Sequence, residues 1–194
     1  MLLLAAGSSS RMGVPKQLLK WNNSTLLQHA INMVKKIDRD EIILILGAHF
    51  DDIKSNIDTT GVTVIHNKNW KNGLGNSISC GINHIMKSYP QFENVLIMLA
   101  DQPLIDSNYL NEMIETQHSN PDKIICTAYQ NKRLGVPAIF NKVYFEELLR
   151  LNHDKGAKDL LNKNSEKMLF LDGSNLISDI DTMEDYEILY KRFH

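Results

Sequence analysis

The feature that most constrains the fold is an alternation along the chain. Short apolar runs rich in Val, Ile and Leu recur at residues 2–5 (LLLA), 42–46 (IILIL), 62–65 (VTVI), 95–99 (VLIML), 123–127 (KIICT) and 136–140 (VPAIF). Each is short and apolar at consecutive positions, which suits a strand buried on both faces. Between them, residues 24–37, 76–88, 107–119 and 142–151 place apolar side chains at helical spacing. Strand and helix in turn imply βαβ units, so the expected fold is α/β with a mainly parallel sheet covered on both faces. Such sheets bind ligands at the carboxyl ends of their strands, and the loops there are where chemistry is to be sought.

Bulk properties narrow the search. The chain's 194 residues suit one core, so residues 1–194 are read as a single domain; residues 128–165 look less regular and are expected to form a lobe over the sheet. A formal net charge of −2 lacks the basic excess that follows a nucleic-acid backbone, which points to a small ligand. Cys80 and Cys126 form no CxxC pair and are expected to be buried thiols in a reducing cytoplasm. The start MLLLAAG has no basic leader, and no run approaches the roughly 18 apolar residues of a membrane span, so neither export nor a membrane is expected. His29, His49, His66, His84, His118, His153 and His194 make no HxH or HExxH pattern, which argues against zinc. No nucleophile motif surrounds a Ser or Cys.

Four stretches carry candidate chemistry. Residues 7–16 (GSSSRMGVPK) offer Gly7 for close backbone approach, the hydroxyls of Ser8, Ser9 and Ser10, and the cations Arg11 and Lys16. Free N–H groups on such a loop can cradle phosphate oxygens, with a bidentate fork from arginine and a point charge from lysine. The loop is not a Walker motif, and an ordinary βα loop is the plain alternative. Asp101 follows the run 95–99 and would point into the ligand crevice, where a carboxylate suits Mg²⁺. Asp106, before Ser107, fits a helix cap instead. Residues 72–79 (NGLGNSIS) put Gly75 and Ser77 at a helix start, where an anion or a base edge could bind, although capping explains the pattern almost as well. Late in the chain, Asp179 is a second metal candidate; Asp181, also a candidate, would cap a last helix from Thr182 with Glu184 completing a capping box.

The blocks LAAGSSSRMGVPKQLL (4–19), GLGNSISCGI (73–82), LADQPLI (99–105), GVPAIF (135–140), HDKGAKDLL (153–161) and DIDTMEDY (179–186) occur in order over nearly the whole chain. Together they resemble the MobA-like nucleotidyltransferases, and within them most nearly the molybdenum cofactor cytidylyltransferases. The resemblance implies a Rossmann-like three-layer nucleotidyltransferase fold that uses Mg²⁺ and transfers CMP from CTP to the terminal phosphate of Mo-molybdopterin, releasing pyrophosphate. It implies nucleotide contacts from Leu4, Ala5, Ala6, Gly7, Ser8, Arg11 and Lys16, with Gly75 and Ser77 near the base or ribose. Arg11, Lys16 and Asp101 would be catalytic, Asp101 holding Mg²⁺ and Asp179 and Asp181 forming a late acidic pair. Gly135, Pro137 and Lys158 would face the acceptor, and residues 129–134 (YQNKRL) would line its lobe. A target molybdoenzyme is a possible further partner on the same grounds.

Two features favour the cytidylyl branch over the guanylyl one: LAAG rather than LAGG at residues 4–7, and aspartates rather than asparagines at 179 and 181. One block departs from the family's GDxGAR, with His153 for glycine and Lys158 for arginine, which keeps the charge and loses the fork. Two rival readings stand beside this one: transfer to another phosphorylated acceptor such as methylerythritol phosphate or a sugar phosphate, and a non-catalytic carrier of the molybdenum cofactor.

Overall fold

The computed structural model describes residues 1–194 except 38–40, 131–132, 154–155 and 177. Its strands are β1 (Leu2–Ala5), β2 (Lys20–Trp21), β3 (Ser24–Thr25), β4 (Ile43–Leu46), β5 (Thr63–His66), β6 (Asn94–Leu99), β7 (Ile124–Ala128), β8 (Leu134–Asn141) and β9 (Met168–Asp172). Its helices are α1 (Leu26–Val34), α2 (Phe50–Ser55), α3 (Leu74–Ser88), α4 (Ser107–Ser119), α5 (Phe145–Leu149), α6 (Lys158–Lys163) and α7 (Met183–Phe193).

Seven strands form one sheet in the order β5-β4-β1-β6-β8-β7-β9, and β2 and β3 form a separate small hairpin. β1 lies inside the sheet, parallel to β4 on one side and β6 on the other, with Leu3 opposite Leu44 and Met98. Only β8 runs against its neighbours, antiparallel to both β6 and β7. The strands read as unbroken apolar runs because both faces are covered. Leu2 and Leu4 join Ile43, Ile45, Ile78 and Ile82 in one core, while Leu3 and Ala5 join Leu27, Ile31, Leu44 and Leu110 in the other. Gly81 lets α3 reach the sheet, since a Cβ there would stand 2.4 Å from a Leu2 methyl. Among the described residues no helix is long and apolar enough to cross a membrane. Cys80 and Cys126 are free thiols, half-buried and buried respectively; burial pushes the Cys126 thiol up to about 11.

Several sequence expectations shift. The helix expected from residue 24 begins at Leu26, because Ser24 and Thr25 pair with Lys20 and Trp21, and the Thr25 side chain then accepts from the Gln28 amide as the N-cap. Residues 142–144 form a 3₁₀ turn before α5. Short α2, α6 and the edge strand β9 are additions to the pattern read above. Asp106 caps α4, accepting from the Tyr109 amide at 2.8 Å. At α7 the cap is Thr182, not Asp181, with Asp185 rather than Glu184 completing the capping box. The shift has a tertiary cause: the Asp181 carboxylate faces Lys16 at 3.4 Å.

Candidate active site

The loop after β1 is held by its own side chains. Gln17, 3% exposed, donates from its amide nitrogen to the carbonyls of Ala5 and Gly7, both at 2.9 Å. Ser9 adopts a left-handed conformation with φ 54°, and its hydroxyl accepts from the Lys16 amide at 3.0 Å. Ser9 therefore closes the loop and is not the free anion donor expected from composition. The backbone N–H groups of Ser8, Ser10 and Arg11 have no protein acceptor among the described residues, and Arg11 is exposed at the tip. These groups remain available to an anion. Gln17 was not picked out in the sequence; its signal was only its place beside Lys16.

The ammonium of Lys16 donates to Asp101 Oδ2 at 2.5 Å, to the Ile180 carbonyl at 2.8 Å and to Asp181 Oδ1 at 3.4 Å. Burial alone would pull the lysine pKa down, but the Asp101 and Asp181 carboxylates outweigh it and hold the pKa above its usual value. The other Asp101 oxygen, Oδ1, is buried with no hydrogen-bond partner among the described residues. An unpaired carboxylate oxygen beside the phosphate loop is a fitting ligand for a hard divalent cation. Asp179 and Asp181 do not complete a cage around it: no three His, Cys, Asp or Glu side chains among the described residues are placed to hold a metal. Asp181 turns to the lysine, and Asp179 accepts from Gln102 Nε2 at 2.9 Å. Crowding by protein atoms raises the Asp179 carboxyl pKa above the usual carboxylate value, the Gln102 bond opposing this and the charge of Asp101 adding to it.

Two cavities open where β1 and β6 end. The first, about 190 Å³, is lined by Leu4, Ala5, Ala6, Gly7, Lys16, Gln17, Ser77 and Asp101 among others. The second, about 140 Å³, has Tyr129, Arg133, Gly135, Lys158 and Asp179 in its wall. Leu4, Leu74 and Leu99 belong to both walls, so the cavities adjoin. Tyr129 accepts from Gln102 Nε2 at 3.1 Å and donates to the Val136 carbonyl. Gly135 leaves room for that ring, since a Cβ there would stand 2.7 Å from Tyr129 Cε2.

Two sequence candidates stand elsewhere. The Gly75 amide donates to the His153 carbonyl at 2.9 Å, and a Cβ at Gly75 would come within 2.8 Å of the Asn152 carbonyl oxygen. Its glycine serves close packing of the 152–153 segment on α3, and it lines neither cavity. Pro137 is buried in β8, where its carbonyl accepts from Thr127 Oγ1 at 2.7 Å; the acceptor role read from its block does not match that position. Of the expected lobe 129–134, Tyr129, Arg133 and Leu134 face the second cavity, while Asn131 and Lys132 lie outside the described residues.

Sheet, flanking helices and paired cavities together make a Rossmann-like α/β nucleotidyltransferase fold. More specifically, residues 1–168 match the MobA-like NTP transferase domain, and the chain belongs to that family. The protein Rv0371c of Mycobacterium tuberculosis H37Rv superposes with a TM-score of 0.84 at 28% identity, over 98% of this chain and 95% of that one. The same protein in complex with manganese gives a TM-score of 0.81 at 26% identity, over 98% and 96%. Among curated proteins, the bifunctional protein GlmU of Buchnera aphidicola subsp. Schizaphis graminum is 29% identical over 143 residues, 73% of this chain and 30% of that protein. The chain spans about a third of the length of the curated relatives it matches. The acidic block at 179–186 lies beyond the matched residues.

Proposed function

We propose that the protein transfers CMP from CTP to the terminal phosphate of Mo-molybdopterin, forming the cytosine dinucleotide of the cofactor and releasing pyrophosphate. The observation that carries this reading is the pair of adjoining cavities, one beside the phosphate loop with Lys16 and Asp101, the other bearing the cations Arg133 and Lys158. A donor triphosphate and a phosphorylated acceptor can thus meet across the Leu4, Leu74 and Leu99 wall. The choice of CTP rests on Ala6 in the loop and on Asp179 and Asp181.

The reaction is attack by an acceptor phosphate oxygen on the α-phosphorus, and both partners are anions. The acceptor is already ionised near neutral pH, so the protein's task is positioning and charge cancellation. Lys16 stays cationic across that range and is placed to exchange a carboxylate for oxygens of the departing pyrophosphate. Arg11 and the free loop amides would add further donors. Asp101 would hold a divalent cation, magnesium in this reading, through its unpaired oxygen; such an ion supplies charge neutralisation and Lewis-acid polarisation. Manganese in the Rv0371c complex is consistent with a divalent site.

A second reading, with another phosphorylated acceptor, is favoured by Lys158 standing where the resembling family carries arginine. Pyrophosphate release measured with CTP, GTP, ATP and UTP, with Mg²⁺, with and without Mo-molybdopterin, separates these. Release with CTP only when the pterin is present supports the proposal. Release with a different phosphorylated acceptor moves the assignment to the second reading, and CTP binding without any turnover points to a carrier.

A further inference from the structure

We propose that Asn67 orients the Ser77 hydroxyl so that it donates a hydrogen bond to the nucleobase, at a carbonyl oxygen or an unprotonated ring nitrogen. This rests on the reading that the first cavity receives the nucleotide. Asn67 follows β5 directly, is 3% exposed, and its backbone N–H donates to the Leu46 carbonyl at 2.8 Å. The Asn69 backbone N–H donates to Asn67 Oδ1 at 3.0 Å. A backbone N–H can only donate, so the atom facing it is the amide oxygen and the orientation of the side chain is fixed. The amide nitrogen is then the atom that faces Ser77 Oγ, at 3.1 Å, and it too can only donate.

The Ser77 oxygen must therefore accept, and its own hydrogen is left to go elsewhere. A serine inside a helix usually gives that hydrogen to the carbonyl four residues back; no such bond to Gly73 forms, nor does the hydroxyl donate to any other described residue. Ser77 is 3% exposed and lines the first cavity beside Leu4, Ala6, Leu74 and Leu99. Apolar walls suit the faces of a heteroaromatic ring, and one directed donor reads an acceptor on its edge. Without a ligand the buried hydrogen is unpaired, a cost that binding of an acceptor removes. Asn67 touches no substrate in this scheme; it is a positioning residue acting through Ser77.

The test is CTP titrated calorimetrically into the wild type, Ser77→Ala, Asn67→Ala, Asn67→Asp and the Ser77→Ala/Asn67→Ala double variant, with a melting curve for each. Ser77→Ala is expected to weaken binding about three- to tenfold. Asn67→Asp keeps the shape and the Asn69 contact but presents an acceptor, which captures the serine hydrogen and should cost as much as Ser77→Ala. The double variant should bind no worse than Ser77→Ala alone, because a residue acting through another has nothing left to act on. Asn67→Asp binding as wild type overturns the proposal, as do additive losses in the double variant, which is what a merely structural asparagine would give. Should Asn67→Asp not fold, the cycle of the other three variants decides by itself. A wild type that binds no nucleoside triphosphate overturns both this inference and the nucleotide reading, whereas binding with additive losses removes this inference alone.

Discussion

The two cavities are built differently. Around the first, the polar side chains are tied into the protein: Gln17 to two carbonyls, Ser77 to Asn67, Lys16 to Asp101, Asp181 and a carbonyl. Around the second, the cations Arg133 and Lys158 are exposed and make no ion pair with a described residue. Preorganised groups cost little to order on binding and hold one geometry, while long free side chains adapt and lose rotamer entropy when they engage. In the proposed reaction the first cavity handles the triphosphate, and the second meets whichever acceptor arrives. Under that proposal, chemistry falls to the rigid side and acceptor choice to the adaptable one.

The largest effect that could break this contrast is at Asp101. Asp101→Ala should cut pyrophosphate release by about 10²- to 10³-fold with an unchanged circular dichroism spectrum, and full activity would remove Asp101 from the chemistry. Next comes the backbone on which the rigid side depends. A Cβ at Gly47 would stand 2.5 Å from Trp70 Cβ and 2.6 Å from the Ala6 carbonyl oxygen, so Gly47→Ala should destabilise the fold by about 1–3 kcal/mol and lower the denaturant midpoint. An unchanged midpoint would show that the first cavity yields more readily than its contacts imply.

On the adaptable side, Lys158→Ala should raise KM for the acceptor about tenfold, the scale of one charged hydrogen bond, and leave CTP affinity unaltered. Lys158→Arg should bind the acceptor at least as well as wild type, since the fork adds a second contact. A change in CTP affinity in Lys158→Ala would merge the two cavities into one site.

The smallest effect concerns Asp179, in the wall of the second cavity, where it accepts from Gln102. Its carboxyl pKa is raised on folding, so the folded protein holds the proton more tightly than the unfolded chain. Its charge thus costs stability, and the cost grows as pH rises from the unfolded value through the folded one, then levels. Asp179→Asn can keep the Gln102 bond without that charge, and its melting temperature should exceed wild type slightly at pH 7 and equal it near pH 3. The reverse order would mean the carboxylate is stabilised where it stands.

How much could be read beforehand varied by residue. The strands were legible because burial on both faces writes itself as consecutive apolar residues, and Asp106 was legible as a cap because capping is decided within four residues. Gly75 and Gly135 were read as ligand contacts, and the sequence did not say that each makes room for protein: a carbonyl at residue 152 in one case, the ring of Tyr129 in the other. β9 pairs with β7 at an edge and is half-exposed, so its pattern is weaker than that of the central strands.

Local order, then, belongs to the sequence by itself: the βαβ alternation, the mainly parallel sheet and the small-residue cationic loop at the end of its first strand follow from periodicity and side-chain chemistry over a few residues. Tertiary structure alone decided which groups meet. Lys16 reaches Asp101 across 85 positions and Asp181 across 165, and Gln102 reaches Asp179 across 77. Partners that distant are selected by strand order and by how the last segment folds back over the sheet, and no local pattern encodes that choice.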